Sequence, residues 1–444
     1  MQGAAADPAA LERGVRQLLA DKVCGTHVGL WLLVPEYLRL GLWDLLRAWS
    51  GQPGERVEPR LGLQLVNEAA LCVGAVRARR CLSQKGFELA CGLPFVAADP
   101  AIHDLLDAHT VEQAQALQIA LGMIRRSCGH YAGQTLAIDP HRLLSYSKRQ
   151  MRRRKEKNEG PAVKTSQVFF CLDTDTQQPL GFTIGTAALT AAQAAPALLG
   201  LAQAILRPDG RPLVLLDAEH YSAELFRHAR NNTPFDLLAP LPQTRRLKAR
   251  LAGLDPEIFS PRWAGFATAT VPYRFTGDEE NFHLLVQRCG ERRQDQRFKA
   301  FLATRPDDEV QALTQEFPKR WHVEEFFNAH QRLGWKKAGT LNLNIRYGQM
   351  SLALLAQAAL HGLRQRLGEP WRNAEASCLA RDLFEALDGD IRVHEDTILV
   401  TFYNAPQAER LRPHFEHLPS ILQSQNVDPR VPWLYNFKLD FRFA

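Results

Sequence analysis

Three carboxylates of this chain stand where regular elements could gather them into one site. Asp139 and Asp217 each end a short apolar run, and Glu324 lies within a predicted helix. Ligand and catalytic groups of open α/β sheets collect at the carboxyl ends of strands, so the two aspartates could share metal ions. The alternative for either aspartate alone is that it only starts a turn, which is very common after a strand.

The helix predicted over residues 316–335 decides which glutamate could join them. At about 100° per residue, Phe317, Arg320, Glu324 and Gln331 share one narrow stripe, whereas Glu325 points roughly a quarter turn away. The adjacent face is apolar and would pack onto a sheet: Val323, Phe326, Phe327 and His330. We therefore expect Glu324 to face the site, with Arg320 able to hold a phosphate or to orient the carboxylate. An i,i+4 ion pair on a solvated helix is the alternative.

Positive charge is concentrated in one segment. The net charge is +6, and residues 147–158 alone supply it, because seven cations there face only Glu156. The cations are Lys148, Arg149, Arg152, Arg153, Arg154, Lys155 and Lys157. Such a block in an otherwise neutral chain favours a polyanionic partner such as nucleic acid, or an anionic membrane surface. A solvated surface loop is the simpler alternative.

Length and composition indicate a globular protein of two or three domains. The chain has 444 residues, of which 45% are hydrophobic and 23% charged, and this excludes disordered, collagen-like and coiled-coil classes. The eight cysteines are scattered without close spacing, so we expect reduced thiols and neither a zinc site nor a disulfide framework. The first residues lack a signal-peptide pattern, and no run has the character of a membrane span, so we expect an intracellular protein.

The pattern of elements predicts an α/β sheet of mixed strand direction. Helices are expected from residue 8 to about 130, and strands begin after residue 134. The expected strands are 135–139, 167–172, 179–185 and 212–217, of which the second and third form a hairpin. The helices expected after them are 188–206, 222–230, 316–335 and 348–367. Strands that first meander and then alternate with helices favour this fold class.

The carboxylates and their surroundings resemble those of the DDE transposases of bacterial insertion sequences. The run Arg320-Trp-His-Val-Glu324 is similar to the third-carboxylate signature Y-x2-R-x3-E-x6-K, with Phe317 at the tyrosine position and Gln331 at the lysine position. Segments 93–103, 178–181 and 301–304 are similar to the family as well. The resemblance extends over roughly residues 20–440 and lies in the order and spacing of motifs rather than in any single one.

The resemblance implies an RNase H-like catalytic core with a β-rich insertion, preceded by an α-helical DNA-binding region. The implied segments are a helical DNA-binding region at 1–130, the first part of the core at 131–230, a β-rich insertion at 231–304, the last part of the core with Glu324 at 305–380, and a dimerisation or DNA-contact region at 381–444.

The resemblance also implies a transposase that cleaves and joins DNA strands by two-metal phosphoryl transfer. Asp139, Asp217 and Glu324 would be catalytic and would hold Mg²⁺, with Mn²⁺ able to substitute, and Asp139 would bridge the two ions. The implied DNA contacts are Arg320, Lys148, Arg149, Arg152, Arg153, Arg154, Lys155 and Trp263. His220 is expected to be structural or close to DNA rather than a metal ligand.

The implied partner is double-stranded DNA, both as terminal inverted repeats and as target. A homodimer would hold two ends in a synaptic complex, without a membrane, in the cytoplasm and associated with the nucleoid. Two alternatives remain open: a catalytically inactive or repurposed DNA-binding relative, and an RNase H-like nuclease without strand transfer.

Overall fold

The computed structural model divides the chain into two compact units. The central unit is Arg125–Asn328, and the split unit joins Met1–Ile124 to Ala329–Ala444. The structure describes residues 7–51, 57–73, 82, 84–145, 148, 150–154, 161–278, 281–335, 340 and 342–444, with only the backbone described at 154. The second segment of the split unit begins at residue 329, inside the segment 305–380 that the resemblance implies to be the last part of the core.

The described residues form both strands and α-helices, with the following bounds. The strands are β1 (Val23–Gly25), β2 (Thr135–Leu144), β3 (Arg153–Arg154), β4 (Val163–Asp173), β5 (Gln178–Thr186), β6 (Leu213–Leu216), β7 (Asp236–Pro240), β8 (Ser260–Trp263), β9 (Phe266–Tyr273), β10 (Phe282–Cys289), β11 (Arg297–Ala303), β12 (Gly389–His394), β13 (Thr397–Phe402), β14 (Arg430–Val431) and β15 (Phe437–Phe443). The α-helices are α1 (Pro8–Ala20), α2 (Val34–Arg39), α3 (Leu42–Trp49), α4 (Glu58–Ala70), α5 (Lys85–Ala90), α6 (Asp99–Ala108), α7 (Val111–Ser127), α8 (Ala191–Leu206), α9 (Ala223–Asn232), α10 (Arg245–Ala252), α11 (His322–His330), α12 (Leu343–Leu367), α13 (Ala376–Leu379), α14 (Ala408–Phe415) and α15 (Leu418–Ser424).

A 10-stranded mixed sheet forms the core of the central unit. Its order is β3-β4-β2-β6-β7-β11-β10-β9-β8, with β5 paired to β4. The hairpins β2-β4 and β4-β5 are antiparallel, while β2, β6 and β7 run parallel with α8 and α9 on the connections. The path β5-β4-β2-β6-β7 is the RNase H-like arrangement, so the predicted α/β fold class is confirmed.

Local sequence explains where these elements begin. The predicted helix from residue 188 starts at Ala191, because the Thr190 side chain accepts from the Gln193 backbone N–H and the Gln193 side chain accepts in return from Thr190. The Ser222 side chain caps α9 in the same manner, as its hydroxyl accepts from the backbone N–H of Leu225. The hairpin predicted over 167–185 is confirmed as β4 and β5.

The strands beyond β7 continue the same sheet. β11 pairs with β7 through Phe301 and Pro240, and β10, β9 and β8 follow in an antiparallel meander. Pairing with β11 gives the outer edge of β7 hydrogen-bond partners that a separately folded insertion would not supply. The segment 231–304, which the resemblance implies to be β-rich, contains β7 to β11 and also the helix α10.

The split unit is mainly helical. Its longest element is α12, which packs against α4 and α6, and its sheet is five-stranded in the order β1-β12-β13-β15-β14. Across the residues that the structure describes, no helix is both long enough and apolar enough to cross a membrane.

Candidate active site

Strand register brings the two aspartates side by side. β2 and β6 run parallel and their pairing ends at Ile138 and Leu216, so Asp139 and Asp217 are the residues that directly follow the last pair. The prediction that the strand ends at Asp139 is wrong, because β2 continues to Leu144 through pairing with β4. Pairing with β6 stops here since Pro140 has no N–H to donate on that side.

The third carboxylate is delivered by α11, which is anchored on the sheet by aromatic packing. The rings of Phe326 and Phe327 lie with centroids 5.8 and 5.1 Å from that of Phe170 on β4. This packing leaves Glu324 half-buried at the site and Glu325 exposed to solvent. The helix is not regular over 316–335: a π-helix (Gln311–Glu316) and a 3-10 helix (Phe317–Trp321) precede α11, where Pro318 lacks the N–H that an α-helix would use.

Of the expected site residues, the three carboxylates and Arg320 line one cavity of about 330 Å³. Its walls are Asp139, Pro140, His141, Arg142, Asp217, Arg320, Glu324, Phe327 and Asn328. Sequence reasoning missed His141, Arg142 and Asn328. His141 had a signal, because it stands two residues after Asp139 on a strand and shares its face; its ring stacks on Phe327 at 4.4 Å.

Arg320 forms ion pairs with two of the three carboxylates. One guanidinium nitrogen lies 3.2 Å from Asp139 Oδ1, and another lies 3.9 Å from Glu324 Oε1. Within the described ranges, no three His, Cys, Asp or Glu side chains lie close enough together to hold a metal ion. The Arg320 guanidinium therefore lies among the carboxylates of the cavity. For the carboxylates to coordinate a metal ion together, their side chains and Arg320 would have to move.

The two aspartates have opposite electrostatic environments. Burial raises the pKa of Asp139 to about 7; the charge of Arg320 opposes this shift and the charge of Asp217 adds to it. Burial alone would also raise the pKa of Asp217, but the hydrogen bond from His220 and its charge, together with the Glu219 N–H, bring it below the ordinary value. Neighbouring carboxylates whose pKa values diverge are typical of catalytic sites.

Asp217 also holds the turn that follows β6. Its Oδ1 accepts from the backbone N–H of Glu219 at 3.0 Å and lies 2.5 Å from His220 Nδ1. It is thus the cap of a 3-10 turn, Ala218–His220, as well as a cavity residue. The common turn-starting role and the site role are therefore compatible in this residue.

Part of the basic segment lies along the same sheet. Lys148, Arg152 and Arg153 are exposed, and Arg153 pairs with Lys164 on β4. Asp139 pairs with Phe170 of the same strand. Phe170 lies six residues after Lys164, so the two pairing positions are about 20 Å apart along β4. Arg149 and Lys155 lie outside the described residues, as does the side chain of Arg154.

Two exposed tryptophans belong to the central unit. Trp263 is 53% exposed and stacks on Phe266 at 4.1 Å across the β8-β9 hairpin, so it is not part of the core. Trp321, directly after Arg320, is 55% exposed and is not among the expected DNA contacts. Tyr273 is half-buried, and its hydroxyl lies 2.5 Å from that of Tyr221.

The two departures from the signature occupy different surroundings. Phe317 sets its ring edge-to-face against Phe301 of β11 at 4.8 Å, an apolar contact that needs no hydroxyl. Gln331 begins a short 3-10 helix, Gln331–Leu333, in the split unit.

Comparison with known proteins gives one family match. The family described as "Transposase DDE domain" matches residues 130–358, more than half of the chain, and the match includes all three carboxylates. No curated protein matches the chain. Among solved structures, the chain is similar to a cryo-EM structure of the piggyBac transposase synaptic complex with hairpin DNA, at 11% identity and a TM-score of 0.44, with 82% of each chain covered.

Proposed function

The chain belongs to the transposase DDE domain family, and we propose that it is the transposase of a bacterial insertion sequence, cleaving DNA at transposon ends and joining the strands. One observation carries the proposal. Asp139, Asp217 and Glu324 come from two parallel strands and a helix and line a single cavity, together with Arg320. Cleavage of a phosphodiester requires such a group of charges around the reacting phosphate.

The donors of this cavity fit divalent metal ions. Three carboxylates offer only hard oxygen ligands, which Mg²⁺ prefers and Mn²⁺ also accepts. Burial raises the pKa of Asp139 to about 7, so a cation bound beside it would stabilise its ionised form. When bound, two such ions would activate the attacking water or 3′-hydroxyl and stabilise the leaving oxygen. In this proposal Asp139, Asp217 and Glu324 would hold the ions.

In the proposed reaction Arg320 would first contact carboxylates and then a DNA phosphate. Without metal it forms ion pairs with Asp139 and Glu324. With metal and DNA present, its planar guanidinium would turn to a phosphate of the transposon end, a group that it can hold through two parallel hydrogen bonds.

The basic segment would hold the DNA backbone beyond the cleavage site. Its described edge lies about 20 Å along β4 from the strand partner of Asp139, and one strand of DNA presents a phosphate about every 3.4 Å. A backbone running from the cavity to Arg153 would therefore span about six nucleotides. Trp263, exposed and held flat by Phe266, would stack on a base of that DNA.

The remaining assignments complete the proposal. Residues 1–130 would recognise the terminal inverted repeats, and residues 381–444 would support a homodimer or further DNA contacts in a synaptic complex that also takes up target DNA. The protein would act in the cytoplasm, at the nucleoid.

The decisive experiment incubates the full chain with a labelled duplex carrying its own element end, with and without Mg²⁺. Asp217→Ala and Glu324→Ala should abolish both cleavage and joining, because each removes a proposed metal ligand. Glu325→Ala is the matched control: it removes the neighbouring carboxylate, which is exposed, and should retain activity. Equal loss in Glu324→Ala and Glu325→Ala would contradict the assignment.

The two other candidate functions are outcomes of the same experiment. Metal-dependent cutting without joining would indicate an RNase H-like nuclease. Tight binding of the end without cleavage would indicate a repurposed DNA-binding relative, a function that Gln331 at the signature lysine position favours.

A further inference from the structure

His220 is a fully buried side chain whose only side-chain hydrogen-bond partner in the described residues is the cavity residue Asp217. Its exposed fraction is 0%, and its Nδ1 lies 2.5 Å from Asp217 Oδ1. Its other ring nitrogen, Nε2, is also buried and has no hydrogen-bond partner among the residues that the structure describes. Among the described residues, the imidazole therefore makes one side-chain hydrogen bond, and that bond is to Asp217.

The carboxylate partner determines which ring nitrogen is the donor. Asp217 Oδ1 is an acceptor, so the contact of 2.5 Å requires a proton on His220 Nδ1, which donates to it.

The turn that carries His220 is fixed on several sides. The 3-10 turn Ala218–His220 packs against α8 and β7. The Glu219 side chain forms an ion pair with Arg142 on β2, another residue of the cavity wall. The imidazole is thus held by a rigid element, so its Nδ1 is a fixed donor rather than a mobile one.

Both donors reach the same oxygen of Asp217. Oδ1 accepts from Glu219 N–H and from His220 Nδ1, while no described residue donates a hydrogen bond to Oδ2. Two bonds to one oxygen fix the rotamer of the carboxylate and leave the other oxygen available to the cavity.

We propose that His220 is a positioning residue that locks Asp217 so that Oδ2 is presented to a divalent cation. The inference rests on the proposed function, because it assigns the purpose of the His220 contact to metal binding at that site. Hydrogen-bond partners of ligating carboxylates and imidazoles typically change metal affinity or activity about 10- to 100-fold when they are removed.

The test separates the hydrogen bond from the packing of the ring. His220→Phe fills the apolar space and removes the donor, whereas His220→Asn places an amide N–H near the position of Nδ1 and leaves part of the space empty. Binding of Mn²⁺ to the full chain is measured by electron paramagnetic resonance, and the thermal midpoint is measured with EDTA.

A positioning role predicts a crossed pattern. His220→Phe should keep a thermal midpoint close to that of the parent and bind Mn²⁺ about 10- to 100-fold more weakly. His220→Asn should melt earlier and yet bind Mn²⁺ within about threefold of the parent. Parent-like Mn²⁺ affinity in His220→Phe, or equal losses of affinity in both variants, would overturn the proposal.

The proton on Nδ1 gives a second readout that does not depend on metal. In protein labelled with ¹⁵N-histidine, His220 should show a protonated Nδ1 whose signal shifts in Asp217→Asn; an unprotonated Nδ1 would overturn the assignment. Failure of the proposed function looks different, since the parent itself would then neither bind Mn²⁺ nor cleave its element end. Parent activity combined with an unaffected His220→Phe would refute only the positioning role.

Discussion

Asp139 carries a buried negative charge that should destabilise the metal-free protein, so Asp139→Asn should make the fold more stable. Burial, opposed by Arg320 and reinforced by Asp217, raises its pKa from 3.8 to about 7. At about 1.4 kcal/mol per pKa unit, ionisation of Asp139 costs the folded protein about 4 kcal/mol above pH 7. Asparagine has nearly the same shape and no charge, so the free energy of unfolding should rise by up to about 4 kcal/mol at pH 8.

The pH dependence fixes the sign of this effect. A raised pKa means that the folded protein keeps a proton which the unfolded chain has already released, so stability falls as the pH rises from about 4 to 7. The advantage of Asp139→Asn should therefore shrink to about 1.5 kcal/mol at pH 5 and vanish near pH 3. Hydrogen exchange of the β2 amides, measured with EDTA, reports the stability of the strand that carries the residue.

Asp217→Asn is the matched control, and its effect should have the opposite sign. The pKa of Asp217 is lowered, so its charge stabilises the fold at every pH above its ordinary titration range, and this contribution is lost only in more acidic solution. The variant should be less stable than the parent at pH 5 and at pH 8 alike. Destabilisation by Asp139→Asn at pH 8, or a gain that does not shrink at pH 5, would refute the electrostatic reasoning.

Three further predictions concern the central unit. Arg320→Gln removes the cation that a metal ion must displace from the carboxylates. In the absence of DNA, Mn²⁺ should therefore bind about tenfold more tightly, as measured by paramagnetic resonance, while affinity for the element end should fall. Unchanged Mn²⁺ affinity would contradict this prediction. Phe170→Ala empties the space beneath the two aromatic rings of α11, which should cost about 3 to 5 kcal/mol in urea unfolding; a cost below about 1 kcal/mol would show that α11 is anchored elsewhere. Replacing Lys148, Arg152 and Arg153 with Gln should lower the slope of log affinity against log salt for DNA by about 3, and a parallel salt dependence would show that they do not touch phosphates.

Much of the fold could be predicted because it depends on local patterns. Runs of β-branched and aromatic residues gave β4 and β5, and the Thr190 and Ser222 caps lie next to the helices that they start. The separation of Glu324 from Glu325 followed from helical periodicity, because neighbouring residues of a helix point about 100° apart. The continuation of the sheet into β11 could not be predicted, since pairing with β7 joins segments far apart in the chain.

The candidate site likewise has features that the sequence determines and features that only the tertiary structure determines. The sequence by itself determined which residue types are available: three carboxylates, an arginine one turn before the third, and a basic segment, in an order typical of a family. Only the tertiary structure decided that Asp139 lies inside a strand, that Arg320 pairs with it, that its pKa is raised, and that His220 is buried against Asp217. Burial and charge pairing depend on neighbours contributed by distant segments, and no local pattern encodes them.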